Sequence, residues 1–454
     1  MTDSKSRPAW RRTIVLFLAG QAITLFGTAI TGYAISWYVT LQTQSGVMLM
    51  LFTVALTVPM ALASPVGGVW ADRYNRKYLI NLVDAIIALV TLVMALFFSA
   101  GIEWLGLLFI CMVVRSFGQG IQMPTVTAVL PDIVPADQLV RINGFNSSIQ
   151  SLVTFASPMV AAALLSFFPI QILMYVDVVT AALGIAIVFL FVQTHRGWRR
   201  KSVSTEQSQL PVEAPGVSGD SQSAKPAIEA PGVPSHDQTV RPGFFSDFKA
   251  GLRYMAGHRF MVAFLIMSIT FNVLATPAAL LAPLQVVRDF GADAWRLGAI
   301  EVVFSVGMMI GGVAIGVWGG FRNRASTMAL ATLGFGLGTV GLGLLGNFWV
   351  YLACMAFVGS VMPVFSAPMM GILQERIVPD FMGRVFSVFM MVGSLAMPIG
   401  MLFFGPLADL ISIDLLLIAT GAGIALLSLY LVGNRSIHEA GISPTNPQAP
   451  EETM

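Results

Sequence analysis

Four ionisable residues stand inside long apolar runs of this sequence: Asp84, Arg115, Asp177 and Glu301. A charge at the centre of a bilayer costs at least ~2.5–3.5 kcal/mol on insertion scales, so such residues persist where they move protons or ions, hold a charged substrate or pair with one another. Three acids and one base leave an excess of two negative charges if all ionise. Burial disfavours the charged form of a carboxylate, so at least one acid is expected to carry a proton for part of a working cycle. Arg115 heads a polar face with Gln119 and Gln122, at i, i+4 and i+7 of one helix. Gln21, Thr24, Thr28 and Thr31 form a second stripe, Asn146 and Gln150 share a face, and Asn272 is a lone amide. Polar groups in a membrane span must face protein or water, because lipid offers no partner. For the threonines, a cavity and interhelical hydrogen bonds are both open readings; Gln21 and Asn272 are expected to face a cavity. The rest of such a lining would be Met and Phe, of which the chain has 25 and 31, a re-packable apolar surface suited to varied ligands.

The elements that must position these residues follow from composition. Of 454 residues 56% are hydrophobic and 11% charged, against roughly 25% charged in soluble domains. Runs long enough to cross a bilayer fall at 13–40, 46–71, 78–99, 104–130, 143–167 and 170–193, then at 260–286, 294–319, 326–346, 348–373, 383–408 and 411–433. The fold class is therefore an all-α polytopic membrane protein with twelve transmembrane helices. The basic start MTDSKSRPAWRR precedes a run too long for a signal peptide and without a small-residue cleavage site, so that run reads as the first span. With both termini cytoplasmic, Arg73, Arg76, Lys77, Arg141, Arg322, Arg324, Arg376, Arg384 and Arg435 lie inside and only Arg288 and Arg296 outside, as the positive-inside rule requires. All eight tryptophans then sit near span ends. A polar stretch at 196–243, carrying EAPGV twice, reads as a disordered linker. Behind it Phe245, Phe248, Leu252 and Met255 share a helical face, either an amphipathic surface helix or a plain lead-in to the seventh span. The expected units are residues 1–195, a first six-helix bundle; 196–258, the linker with its amphipathic helix; 259–433, a second bundle; and 434–454, a cytoplasmic tail.

The two bundles read as copies. GVWADRYNRK at 68–77 matches GVWGGFRNRA at 316–325, offset by 248; Pro124 and IVP at 133–135 match Pro368 and IVP at 377–379, offset by 244. Two pseudo-symmetric six-helix bundles in parallel topology support alternating access around a midplane site. GVWADRYNRK resembles the loop signature of the major facilitator superfamily, G-x-x-x-D-R/K-x-G-R-K/R, with Asn75 in place of the usual Gly. RSFGQGIQMPTVTAVLPDIVPADQL and GRVFSVFMMVGSLAMPIG look like its drug-exporting branch, typified by bacterial macrolide efflux proteins. The Gly-Pro usual at the centre of the fifth span is represented by Ser157-Pro158.

The resemblance implies a cytoplasmic gate formed by Gly68, Asp72, Arg73, Arg76, Lys77 and Asp132 with Gly383 and Arg384. In it Asp72 would meet the N-terminus of the eleventh span, an interaction worth roughly 0.3–1 kcal/mol from the helix dipole, and would latch the outward-open state. The alternative is that these charges only set topology. Gly320 replaces Asp72 in the second copy. Arg115 resembles the arginine of proton-coupled members. The expectation is that Glu301 exchanges a proton or a cationic substrate with Arg115 modulating it, while Asp84 and Asp177, on spans that flank the bundle in the superfamily, link helices by hydrogen bonds. The resemblance implies a monomeric exporter of a small amphipathic, macrolide-like drug in the bacterial inner membrane, working by drug/proton antiport. Export of a siderophore or another natural metabolite is the alternative within transporters.

Other classes fall away. An intramembrane enzyme would need a nucleophile–base or paired-acid constellation, and the buried ionisable groups are scattered over four spans. A sensor or scaffold would need neither the duplication nor the loop signature. No metal or cofactor is expected: Cys111 and Cys354 form no C-x-x-C, and His195, His236, His258 and His438 lie outside the apolar runs. G-L-G-T-V-G at 336–341 sits mid-span with no preceding strand, a packing face and not a nucleotide loop. A net charge of +2 argues against nucleic acid as a partner.

Overall fold

A computed structural model describes residues 9–191, 251–344 and 346–442. Among them, twelve helices are long and apolar enough to cross a membrane. The first six are α1 (Ala9–Thr43), α2 (Gly46–Arg73), α3 (Arg76–Ser99), α4 (Leu105–Ile133), α5 (Leu139–Phe167) and α6 (Ile170–Phe191). The second six are α7 (Arg259–Asp289), α8 (Ala294–Trp318), α9 (Arg324–Leu344), α10 (Phe348–Arg376), α11 (Pro379–Leu410) and α12 (Ile413–Gly433), with a short α13 (Arg435–Ala440) behind them. Several helices outrun their apolar stretch: α1 begins four residues before the hydrophobic run and α4 ends three after it. Backbone hydrogen bonding continues into the polar interface because it needs no apolar side chain.

The packing repeats between halves. In the first, α1 packs on α5 and α6, α2 on α4, and α3 on α4 and α6; in the second, α7 packs on α11 and α12, α8 on α10, and α9 on α10 and α12. The halves meet chiefly along two seams, α2 with α11 and α5 with α8, which are each other's counterparts.

The duplicated loop repeats in detail. The Asn75 side chain accepts from the Lys77 N–H at the start of α3, and the Asn323 side chain accepts from the Ala325 N–H at the start of α9. Arg76 pairs with Asp132 at 2.7 Å and Arg324 with Glu375 at 2.7 Å, each acid being the penultimate residue of its helix. The copies diverge where Asp72 stood: α8 stops at Trp318 because Gly319 and Gly320 take φ of +72° and +82°, a region open to glycine, whereas α2 runs on to Arg73.

The end of the bundle carrying Arg73, Arg76, Arg141, Arg324 and Arg376 is called the basic end, and the opposite one the far end. α7 is interrupted at Pro277–Leu281 by a π turn, a wide turn that often marks a functional position. Of the linker reading, positions 196–250, including Phe245 and Phe248, lie outside the described residues, as do 443–454. Residues 251–256 are helical; Met255 is buried and Leu252 exposed, and Tyr254 stacks on Phe381 at 4.4 Å, against the first turn of α11.

Candidate functional site

The far end is sealed. Along the α2–α11 seam Gly46 lies against the backbone of Gly405, and along the α5–α8 seam Gly298 lies against the Ala162 side chain; a Cβ on either glycine would enter its neighbour. The Asp409 carboxylate at the end of α11 accepts from Ser45 Oγ (2.7 Å) and from the N–H groups of Gly46 (2.7 Å) and Val47 (3.0 Å), at the N-terminus of α2. Arg288 closes the cluster, donating to Asp409 at 2.8 Å and to the Gln44 carbonyl at 2.6 Å. Gln44 is held at φ +46°, a conformation uncommon outside glycine. Beneath this seal Trp37, Leu49 and Phe52 form a buried floor. Five hydrogen bonds that join the two halves lie here.

From that floor a cavity of about 920 Å³ runs between the halves towards the basic end, where Leu18, Thr127 and Asn146 line it. Its polar wall comes mainly from the first half: Gln21, Thr24 and Thr28 of α1, Gln119 and Gln122 of α4, Asn146 and Gln150 of α5. The second half supplies Ala279, Leu280 and Pro283 around the π turn, Ser394, Met397 and Pro398 of α11, and Glu301 of α8, the one charged lining residue among those described. Glu301 stands seven residues into α8, two turns from its far-end start, with Tyr33 of α1 in electrostatic reach. Such a cavity, apolar with a few placed polar groups, has the size and character of a drug-sized ligand site.

Arg115 is not part of it, which corrects the expectation that it acts on Glu301. Its guanidinium turns into the first half, bonds Asp177 and Thr91 and reaches the Thr28 carbonyl at 3.5 Å. Asp177 also accepts from the hydroxyls of Thr28 (3.0 Å) and Thr91 (3.3 Å), and both members of the ion pair are fully buried. The physical reason is that a buried guanidinium needs a countercharge, and Asp177 stands across the α4–α6 gap. Gln119 and Gln122 keep the predicted face, while the longer arginine side chain leaves it. Gln122 donates to Asp84 at 2.6 Å, so this buried acid sits one side chain behind the cavity wall. Both Asp84 and Asp177 link helices by hydrogen bonds.

One further position differs from its reading, and the threonines divide between the two readings left open for them. Asn272 donates to the Ser268 carbonyl one turn back in α7 (2.9 Å) and does not line the cavity; α7 reaches the cavity further along, from Ala279. Thr31 donates to the Leu173 carbonyl of α6, whereas Thr24 and Thr28 do both, bonding protein and lining the cavity.

At the basic end the gate residues of the first half form a cluster on their own side. Arg76 donates to the carbonyls of Ala71 and Ala128 as well as to Asp132, and Lys77 to the Phe189 carbonyl at the end of α6. Asp72 is 79% exposed and meets Arg76 at 3.5 Å; Arg73 is exposed. Gly68 faces open space, and Gly67 is the glycine pressed on α4 at Ile121. Gly383 and Arg384 lie in the first turns of α11, the Arg384 guanidinium 5.5 Å above the Phe381 ring. Gly251 abuts the Arg384 backbone, so residues 251–256 sit on the helix start that the gate reading assigns to Asp72.

The sequence reading missed Asp409 as a functional position. A signal existed: Gly405-Pro-Leu-Ala-Asp409 repeats the spacing of Gly68-Val-Trp-Ala-Asp72, each near the C-terminus of a seam helix. Among the described residues no three His, Cys, Asp or Glu side chains gather as a metal site.

A family model described as Major Facilitator Superfamily matches residues 17–401. A macrolide efflux protein A from Streptococcus pyogenes is 27% identical over 409 residues, 89% of this chain and 91% of that one. An uncharacterised MFS-type transporter of Bacillus subtilis is 22% identical over 96% of both chains. Among solved structures, a bacterial homologue of the iron transporter ferroportin in an inward-facing state superposes with a TM-score of 0.63 at 15% identity, covering 93% of this chain and 99% of that one. An auto-inhibited peptide transporter of the POT family gives 0.64 at 12% identity over 97% and 99%.

Proposed function

The chain belongs to the Major Facilitator Superfamily, a multi-pass membrane transporter, and on that premise we propose that it exports amphipathic, macrolide-like drugs from the bacterial cytoplasm by alternating access, in exchange for protons. The observation that carries the reading is the cavity between the halves, which extends towards the basic end, lies behind the far-end seal and holds a single carboxylate among the described residues, Glu301. Its relatives named for macrolide efflux favour a drug as cargo. The positive-inside rule makes the basic end cytoplasmic; the state described is then inward-facing, in the inner membrane with both termini inside. The functional units are the bundles 1–195 and 259–433, joined by 196–258 and followed by the tail 434–454, working as a monomer.

The coupling scheme takes account of the Arg115 pairing. With Arg115 neutralised by Asp177, the acids left without a countercharge are Glu301 in the cavity and Asp84 behind Gln122. Glu301 alternates between a proton and a cationic amphiphile, and Gln21, Thr24, Thr28, Gln119, Gln122, Asn146 and Gln150 orient the substrate. Asp72 latches onto the start of α11 when the basic end closes, and its exposure in the open state accords with that role.

The test is drug accumulation in cells expressing the protein, with and without a protonophore, for wild type and Glu301→Gln across a pH series. Energy-dependent efflux whose pH response disappears in Glu301→Gln is expected. Unchanged rate and pH response in the variant would remove Glu301 from coupling, and no energy-dependent efflux across a broad drug panel would sink the exporter reading.

A further inference from the structure

The Asp409–Arg288 seal clamps the α2–α11 seam. Beside the other seam lies a second, smaller cavity of about 470 Å³ that shares no lining residue with the central one. It stands one turn beyond the Gly298–Ala162 contact, between Ser166 of α5 and Trp295 of α8. The first half adds Tyr38 near the end of α1, Glu103 from the α3–α4 loop and Phe168 just past α5; the second half adds Asp293 just before α8. Glu103, Phe168 and Asp293 lie outside the helices and are exposed, so the cavity is reached from the far-end solvent.

Charge and shape together select one class of ligand. The Tyr38 hydroxyl donates to Glu103 Oε2 at 2.8 Å, which orients the carboxylate, and the other carboxylate oxygen takes no hydrogen bond from the described residues. Asp293 is paired with Arg296 at 3.4 Å, so Glu103 is the lining acid with no cation beside it among the described residues. No Lys, Arg or His is among the described lining residues. Three aromatic side chains share the same wall: Tyr38, edge-on to Phe98 at 5.7 Å; Trp295, edge-on to Phe348 at 5.4 Å; and Phe168. Aromatic faces attract cations, and aromatic cages are a recurring way to hold quaternary ammonium groups. The volume falls within the range of small-molecule sites. We propose that this cavity binds an organic cation, an ammonium group on an apolar body, arriving at the far end. Its walls belong to both halves, so the site is whole only while the far end is shut. A ligand shifts a conformational equilibrium by its differential affinity for the two states, and a cation held here therefore keeps the far end closed. In an exporter of cationic amphiphiles that amounts to a brake applied by product on the exit side. This last consequence rests on the export reading; the binding does not.

The experiment titrates the purified full-length protein in detergent with phenyltrimethylammonium, followed by equilibrium dialysis, and so involves no transport. A saturable site is expected that persists in Glu301→Gln, which removes the carboxylate of the central cavity. Its affinity should fall about tenfold or more in Glu103→Gln and in Trp295→Ala, and much less in Trp295→Phe. Glu103→Gln keeps the side-chain shape at an exposed position, so an unchanged unfolding midpoint separates lost binding from lost folding. Spin labels at Tyr74 and Val378, both exposed at the basic end, in protein lacking Cys111 and Cys354, report the conformation. Saturating ligand should deplete the short-distance population about tenfold, as a tenfold preference for the closed far end requires. Displacement by short-chain phosphatidylethanolamine but not by short-chain phosphatidylglycerol would make a lipid headgroup the bearer of the ammonium, and no displacement a free cation; the site stands in both cases. Absence of a saturable site in Glu301→Gln, affinity unchanged in both Glu103→Gln and Trp295→Ala, or distances unmoved by saturating ligand would each overturn the proposal.

Discussion

Replacing Asp409 by Asn should tilt the protein towards the state in which the far end opens. The carboxylate holds the N-terminus of α2 through Ser45, Gly46 and Val47 and is backed by Arg288. Asn keeps the shape but removes the charge, weakening both the ion pair and the charge–dipole contact. The pair is a little over a quarter exposed on each side, so its share is that of a partly screened ion pair, about 0.2–1 kcal/mol. A carboxylate on a helix N-terminus adds about 0.3–1 kcal/mol. These contacts join the halves only while the far end is closed. A loss of about 0.5–2 kcal/mol therefore shifts the balance of open and closed forms roughly two- to thirtyfold. Spin labels at Tyr74 and Val378, both exposed and flanking the basic end of the α2–α11 seam, report that balance once Cys111 and Cys354 are replaced by alanine. Asp409→Asn should move weight from the long-distance to the short-distance population. An unchanged distribution would refute the reasoning, as would general destabilisation without redistribution.

The remaining predictions concern the interior. Arg115→Ala strands Asp177 without its countercharge and should cost about 3–5 kcal/mol of stability, read as a lower unfolding midpoint; the apolar double change Arg115→Met with Asp177→Leu should recover most of it, and failure to recover would show the arginine acting elsewhere. Gly298→Leu places a side chain where Ala162 packs, so the α5–α8 seam should fail to close and efflux should fall to background in protein that still reaches the membrane. Gln122→Leu leaves the buried Asp84 without its hydrogen bond, an expected loss of about 1–3 kcal/mol measurable by thermal unfolding, and an unchanged midpoint would mean that Asp84 has another donor.

Much of the architecture is legible in the sequence because lipid imposes a local rule. Each span needs its own apolar run, and the duplicated GVW loop survives as an Asn cap and an Arg–acid pair in both halves. Helical spacing groups Gln21, Thr24 and Thr28 on one face and Gln119 with Gln122 on another, and these faces line the cavity, because a face follows from periodicity alone. Long-range partners do not follow from periodicity. Nothing local indicates that Arg115 swings to Asp177, 62 positions along the chain, or that Asn272 turns back on its own helix. The partners in the far-end seal do not follow either: the spacing of Gly405 and Asp409 marks the acid, but Arg288 and Asp409 become neighbours of Gln44 and Ser45 only when the halves assemble.

α2 and α11 run antiparallel along their seam, and each ends in a glycine-spaced carboxylate, Asp72 on one and Asp409 on the other. On the latch reading proposed above, the two helices trade roles at opposite ends: whichever end is shut, one helix offers its terminal acid and the other its free N–H groups. The seam thus behaves as a seesaw with equal weights. Tipping it replaces one charge–dipole contact by another of the same kind, so the conformations on either side differ by only a small residual energy. A transporter built this way needs no deep well to be climbed out of in each cycle, and a proton or a substrate with a modest preference for one side is enough to decide which way it leans.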